Sequence, residues 1–323
     1  MKNIFILNPH SGRKKADNGI IREIRDVSDE LGMDSEIYFT RSKGDGERYI
    51  REMCRKYENT GEALRIYGIG GDGTVNEVAN GAVGFDNVEI GVIPMGTGND
   101  YIRNYGDPEK FMDVRNQLLG ESVRSDLIHY RAEYEGEITE GYCANMFNIG
   151  FDCNVVDMTD TVKEWPGVGG SLAYLISVFI VLVKKRETNM RIEFEDGSVR
   201  DGRVLLISIA NGCYCGGGIK GVPKCILDDG LMDVSIVRSG ITRSQFVRIF
   251  PKYQKGTHLE DKLVQKLRAI EYRKEKSMKL VAGDPEGIRL CVDGEISSQQ
   301  SVEFRVKEKA VRFILPAGLR QSD

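Results

Sequence analysis

Histidine is scarce in this chain, with three in 323 residues, and the seven cysteines form no CxxC pair. That combination excludes the usual zinc spacings and a disulfide framework, and it places the chain in a reducing compartment, read as the cytosol. A cationic surplus is also missing: 45 Lys and Arg stand against 49 Asp and Glu, a net charge of -4. With no broad basic excess to displace counterions, nucleic acid is excluded as the main partner. No apolar run reaches the roughly 20 residues that span a bilayer. The longest, within Ser171 to Val183, reads as a buried helix or as one that touches a membrane, with Trp165 before it and Lys184, Lys185 and Arg186 after it. The opening "MKNIFILNPHSG" ends its apolar run at Asn8-Pro9 without a small-residue cleavage site, so it reads as a first strand and not a leader. Cys213 and Cys215 form a lone CxC, read as small residues in a strand-to-loop turn.

Glycine is plentiful, and its placement is informative. The first hundred residues alternate short β-rich runs ("NIFIL", "SEIYFT", "ALRIYGIG", "VEIGVIP") with amphipathic stretches ("ADNGIIREIRDVSDELG", "GERYIREMCRKYE", "TVNEVANGAV", "PEKFMDVRNQLLG"). Such alternation predicts parallel strands joined by helical crossovers, with the loops after the strands gathered on one sheet edge. From about Asp126 the runs are short, β-rich and separated by turn residues, which predicts a mostly antiparallel domain interrupted by helices near Ser171 to Lys185 and Thr242 to Lys255. The expected fold is therefore α/β plus β. An open parallel α/β nucleotide-binding domain over 1–126 is followed by a β-sandwich-like domain over 127–308, with a cleft between them and a last strand, about 309–323, that returns to the first domain.

Three loops fall on the predicted edge. "GIGGDG" carries Gly68, Gly70, Gly71 and Gly73 between a strand and a helix. Glycines there let backbone N–H groups reach phosphate oxygens, and the helix start favours the same charge. Asp72 among them is repulsive to phosphate unless a cation intervenes, so the loop points to a Mg²⁺-bound nucleoside triphosphate. The stretch also satisfies GxGxxG, but it follows the third strand and no ribose-binding acid ends the next one, which counts against a nicotinamide-dependent oxidoreductase. "LNPHSGRKKA" and "IPMGTGND" are the second and third polar, glycine-containing loops on that edge.

Together "NPHSG", "GGDGTVNEV" and "PMGTGND", followed by "ILDDGLMDV" and "CVDGEI", resemble the diacylglycerol kinase catalytic-domain family, soluble bacterial lipid kinases related to sphingosine and ceramide kinases. The resemblance implies an ATP-binding set of Asn8, Pro9, His10, Ser11, Gly12, Thr40, Gly71, Asp72, Gly73, Thr74, Asn76, Glu77 and Thr97. His10 stands at a variable position and has no role of its own. It further implies that Asp72 organises a catalytic Mg²⁺, that Asp100 faces the acceptor hydroxyl region, and that Glu295 is the general base. Asp229, with the main-chain carbonyls of Ile226 and Leu231, would hold a structural Mg²⁺. Without the resemblance, "LDDG" and "VDGE" read equally well as turns. The expected activity is ATP- and Mg²⁺-dependent phosphorylation of a lipid hydroxyl at a membrane surface by a peripheral protein, with an isologous homodimer as the commonest assembly. A kinase of a soluble acceptor such as NAD, and a nucleotide-binding protein without turnover, are the other readings.

Overall fold

A computed structural model describes residues 1–9, 18–150, 187–292 and 295–319. The chain divides into two compact units, Met1–Leu127 with Glu308–Asp323, and Ile128–Lys307.

The first unit is built on parallel strands β1 (Lys2–Leu7), β2 (Asp34–Phe39), β3 (Leu64–Gly70) and β4 (Val88–Pro94) in the order β2-β1-β3-β4. The end of β15 (Ser301–Leu315) adds to β4, also parallel, with Phe313 beside Ile90. Burial explains the composition. Ile4, Phe5, Ile6 and Leu7 of β1 are all buried, as a strand covered on both faces demands. Leu7 lies level with Phe39 and with Ile69, and Gly70 level with Pro94, so the loops after the four strands share one edge. Helix α1 (Asn18–Leu31) buries Ile20 and Ile24. Helices α2 (Asp45–Glu58) and α3 (Asp72–Ala82) meet so closely that a Cβ on Gly81 would stand 2.7 Å from the Ile50 side chain.

"PEKFMDVRNQLLG" is expected as one helix but forms two short pieces, a 3-10 turn Pro108–Phe111 and α4 (Val114–Leu118). The reason is capping: Asp107 accepts from the Glu109 N–H, and Asp113 starts a new helix by accepting from the Asn116 N–H.

In the second unit the strand order is β14 (Glu295–Gln299), β13 (Ile288–Val292), β7 (Met146–Gly150), β9 (Val199–Ala210), β8 (Thr188–Phe194), β12 (Ser277–Ala282) and the first part of β15. The pairings that connect them are antiparallel. β10 (Met232–Arg238) pairs with β9 and with β11 (Ile270–Glu275), and β5 (Glu121–Tyr134) forms a hairpin with β6 (Glu137–Cys143). The core is apolar, with Phe147, Ile149, Ile207, Ile209, Val234, Leu280 and Phe304 at its centre.

Helices α5 (Arg243–Lys255) and α6 (Lys262–Leu267) cover a separate apolar cluster of Leu205, Leu206, Val237, Ile241, Ile249 and Val264. Helix α5 starts with a capping box, Thr242 and Gln245 exchanging hydrogen bonds, and stops at Gly256 in the left-handed conformation at φ 75°.

His258, fully buried beside the Tyr253 ring, is pushed down to about 4 by desolvation of its charged form. The unfolded chain therefore takes up this proton near pH 6.5 and the folded chain only near 4. Stability is fully present above pH 6.5 and should fall between those values by about 1.4 kcal/mol per pH unit, roughly 3 kcal/mol in all. Urea melts of wild type and His258→Gln across that window check this, since the variant should lack that part of the slope.

Candidate active site

Two glycine loops meet at the shared edge of the parallel strands. The Gly70 carbonyl accepts from the Met95 N–H at 2.8 Å, and beyond it the chains touch backbone to backbone. A Cβ on Gly96 would stand 2.4 Å from the Gly71 Cα, and one on Gly70 would stand 2.1 Å from the Thr74 hydroxyl oxygen. No side chain fits at either position without moving main chain or the start of α3. The glycines thus serve close approach, and Gly73, with nothing within 4 Å, is the one left open.

Gly71 is the N-cap of α3 and offers no side chain to it. Its carbonyl receives the Thr74 and Val75 N–H groups, while the helix start keeps its positive end without a side-chain cap. Asp72, in the first turn, turns its carboxylate toward the second loop and accepts from the Tyr101 N–H at 3.1 Å. Burial pushes its carboxyl above the ordinary range, against the N–H groups of Tyr101, Asp100, Asn99 and Asp72 itself, which hold it down. Asp100, also buried, lies close by: a Cβ on Gly98 would be 2.8 Å from Asp72 Oδ2 and 3.3 Å from Asp100 Oδ2. Two carboxylates from separate loops therefore flank one glycine.

The second loop is fixed by groups that sequence reasoning missed. Asn99 sits at φ 53° and donates to the Gly96 carbonyl at 2.9 Å. Asn is one of the few side chains that tolerate this region, so "GND" carried a readable signal. Arg103 donates to the Gly98 carbonyl through Nε at 3.2 Å and Nη2 at 3.1 Å and lies 3.7 Å from Asp100. That contact has no local signature. Thr97 is exposed at the tip between these anchors.

Two other loops complete the edge. The Thr40 N–H donates to the Leu7 carbonyl at 3.0 Å, and the turn after it is clasped by Asp45, which accepts from the Arg41 N–H and the Tyr38 hydroxyl, each at 2.9 Å. Those bonds, with the Arg48 guanidinium, hold the Asp45 carboxyl below its ordinary range. Glu77 reaches across from α3 to accept the Gly44 N–H at 2.9 Å, so within the described residues it positions the Thr40 loop. In the first loop the Asn8 N–H faces the Ile69 carbonyl at 3.5 Å; His10, Ser11 and Gly12 lie outside the described residues, as do Trp165 and the Ser171 to Val183 stretch.

In the second unit, Asp229 accepts from the Leu231 N–H at 3.1 Å and from Lys274 Nζ at 2.6 Å. Lys274 Nζ is also 3.3 Å from Asp233 Oδ2, and the Tyr272 hydroxyl donates to Asp233 Oδ1 at 2.7 Å. Asp233 is fully buried and desolvation raises its pKa. Ile226 is half exposed at the start of this turn. Glu295 begins β14 opposite Val292 and is exposed. Among the described residues no three His, Cys, Asp or Glu side chains are placed to share a metal, so a cation at either acidic position would draw on main-chain carbonyls and water.

Both parts of the chain match known families. Residues 2–130 match the diacylglycerol kinase catalytic domain, and residues 145–315 match the YegS C-terminal NAD kinase beta sandwich-like domain. The chain is 27% identical to the diacylglycerol kinase of Bacillus subtilis, over 97% of this chain and 95% of that protein. It is 28% identical to lipid kinase YegS of Escherichia coli K12, over 94% of this chain and 93% of that protein. A crystal structure titled as a diacylglycerol kinase from Bacillus anthracis has the same fold, with a TM-score of 0.70 at 20% identity over 99% of this chain and 98% of that one. Among the described residues no helix is long and apolar enough to cross a membrane.

Proposed function

Because the chain belongs to the diacylglycerol kinase and YegS lipid-kinase family, we propose that it transfers the γ-phosphoryl group of ATP to the hydroxyl of a diacylglycerol-like lipid alcohol. The observation that carries this reading is the contact of the Gly70–Gly71 and Gly96–Gly98 loops at the α3 start without a side-chain cap, with Asp72 and Asp100 on either side of Gly98. Phosphoryl transfer asks a protein mainly for positioning and charge neutralisation. Backbone N–H groups of the glycine loops and the α3 start would hold phosphate oxygens, and Thr97 and Thr40 would line the same edge. Asp72 and Asp100 suit a divalent cation, since two carboxylates this close to each other and to phosphates need positive charge between them. That cation, when bound, would neutralise the phosphates, and Glu295 would take the proton of the attacking alcohol.

Asp229 and Asp233 also suit a cation, because one ammonium between two carboxylates leaves a negative charge over. With the carbonyls of Ile226 and Leu231, Asp229 would hold it, and Lys274 competes for the same oxygens. Magnesium should therefore raise the melting temperature of Lys274→Met more than that of wild type, and that of Asp229→Asn least, by no more than the Asp72 and Asp100 position contributes. A site saturated a hundredfold over its Kd contributes about 2.7 kcal/mol. Equal shifts in all three proteins would remove Asp229 from the metal set.

The activity itself is tested by following ATP consumption with Mg²⁺ over detergent-dispersed diacylglycerol, monoacylglycerol, a polyprenol, a sphingoid base and phosphatidylglycerol, with NAD as the soluble acceptor. Transfer to a lipid alcohol is the expected result. Transfer to NAD alone would keep the phosphate loops and overturn the lipid acceptor.

A further inference from the structure

The chain as a whole is acidic, yet Thr242 to Arg268 holds Arg243, Arg248, Lys252, Lys255, Lys262, Lys266 and Arg268 against only Glu260 and Asp261. That segment carries +5, and the rest of the chain therefore carries -9. Helix stability does not account for the excess. Lys252 and Lys255 lie in the last turn of α5, where a cation complements the helix dipole, but Arg243 stands at its first residue, where a cation opposes it. Nor does ion pairing account for it. Lys252 pairs with Asp261, whereas Arg248, Lys255, Lys262, Lys266 and Arg268 are exposed and in no salt bridge among the described residues.

Two aliphatic side chains are exposed among these cations. Helix α5 turns Ile249 down onto the core, with Phe246, Phe250 and Tyr253 packed against the same cluster. Arg243, Val247, Arg248, Pro251 and Lys255 remain on the exposed side. Val247 is 46% exposed, and Leu267, at the end of α6, is 40% exposed. Helix α5 contains no acidic residue at all. An interfacial helix that lies on an anionic leaflet has this make-up: Lys and Arg for the lipid phosphates and a few large apolar side chains for the acyl boundary.

We propose that the α5–α6 layer is the face by which this protein docks on a membrane rich in anionic lipid. The partner is a lipid surface and not a nucleic acid, because the exposed aliphatic side chains Val247 and Leu267 among the cations gain nothing from a phosphate backbone. The choice of a lipid surface rests on the lipid-kinase reading. Because the rest of the chain sums to -9, this segment carries the strongest net attraction to an anionic surface.

The test is co-sedimentation of the full chain with phosphatidylcholine vesicles and with vesicles containing phosphatidylglycerol, at low and high salt. Wild type should partition onto the anionic vesicles only, and less so at high salt. The triple variant Arg248→Glu, Lys255→Glu, Lys266→Glu should lose at least roughly 100-fold in partition, since loss of the attraction of three cations to an anionic leaflet alone accounts for that much. Its melting temperature and its turnover of a detergent-dispersed lipid alcohol should stay at the wild-type level. If that variant does not fold, the corresponding triple Gln variant takes its place with a smaller expected loss. Equal partition of variant and wild type, equal binding to neutral vesicles, or tighter binding to a single-stranded oligonucleotide than to anionic vesicles would each overturn the docking face. Failure of the kinase reading is separable, because vesicle binding without turnover of any detergent-dispersed lipid would sink that reading and leave the docking face standing.

Discussion

Replacing Glu295 with glutamine should lower kcat for lipid phosphorylation by about 10²- to 10⁴-fold and leave the KM for ATP near its wild-type value, the size expected for loss of the proposed general base. The physical case begins with the strand. Glu295 opens β14 with Val292 as its cross-strand partner, and β13 is in turn paired to β7, so the side chain starts from a fixed backbone and not from a loose tip. It is also exposed, as a group that must meet an incoming alcohol has to be. Glutamine keeps the length and hydrogen-bonding reach of the side chain and removes only its ability to hold a proton, so a structural role would survive the change. Steady-state kinetics with a detergent-dispersed lipid alcohol decides it. A loss below tenfold in kcat would take the base assignment away from Glu295.

Gly96→Ala should have the second large effect: nucleotide affinity is expected to fall by about two orders of magnitude and the fold to lose about 1–3 kcal/mol, the usual cost of forcing extra volume into close packing. The added Cβ has nowhere to go. It would stand 2.4 Å from the Gly71 Cα, and that neighbour is main chain, which cannot rotate aside as a side-chain end could. Either the "GTGND" loop or the start of α3 must move, and both belong to the surface proposed to hold the phosphates. Gly73→Ala is the matched control for stability, since nothing lies within 4 Å of its added carbon, and its urea midpoint should stay near that of wild type. Calorimetric titration with an ATP analogue checks the binding; an affinity of Gly96→Ala equal to that of wild type would mean that the loop contact is not part of the nucleotide site.

These two positions also illustrate how differently the site was readable. The strand and helix alternation, the location of the glycine loops after β3 and β4, and the antiparallel texture beyond Asp126 follow from local patterns, because each depends on residues a few places apart. Asp72 and Asp100 could be picked out from their motifs. What was not readable is which glycines are obligatory. Four glycines crowd "GIGGDG", and only the folded geometry distinguishes Gly70, pressed against Thr74 in the next turn, and Gly71, pressed against the distant Gly96, from Gly73, whose added Cβ would meet nothing within 4 Å.

Glu77 is a similar case: the family resemblance puts it in the ATP-binding set, and the structure adds a contact that no local pattern showed, its carboxylate accepting the Gly44 N–H, 33 residues away in the chain. The single helix expected over "PEKFMDVRNQLLG" broke in two because Asp113 capped a second start, a local signal that the apolar spacing concealed.

The sequence by itself determined the two textures of the chain, the order of the glycine loops and the acids within them, since those are properties of composition and short-range spacing. Only the tertiary structure decided what those groups meet. The approach of Gly96 to Gly71, the reach of Glu77 to the Gly44 N–H and the seat of Lys274 between Asp229 and Asp233 join residues whose neighbourhood depends on how strands and loops are packed. Hydrogen bonds and close contacts act over a few ångströms, and for distant residues that range is set by the folded backbone and leaves no mark on local sequence.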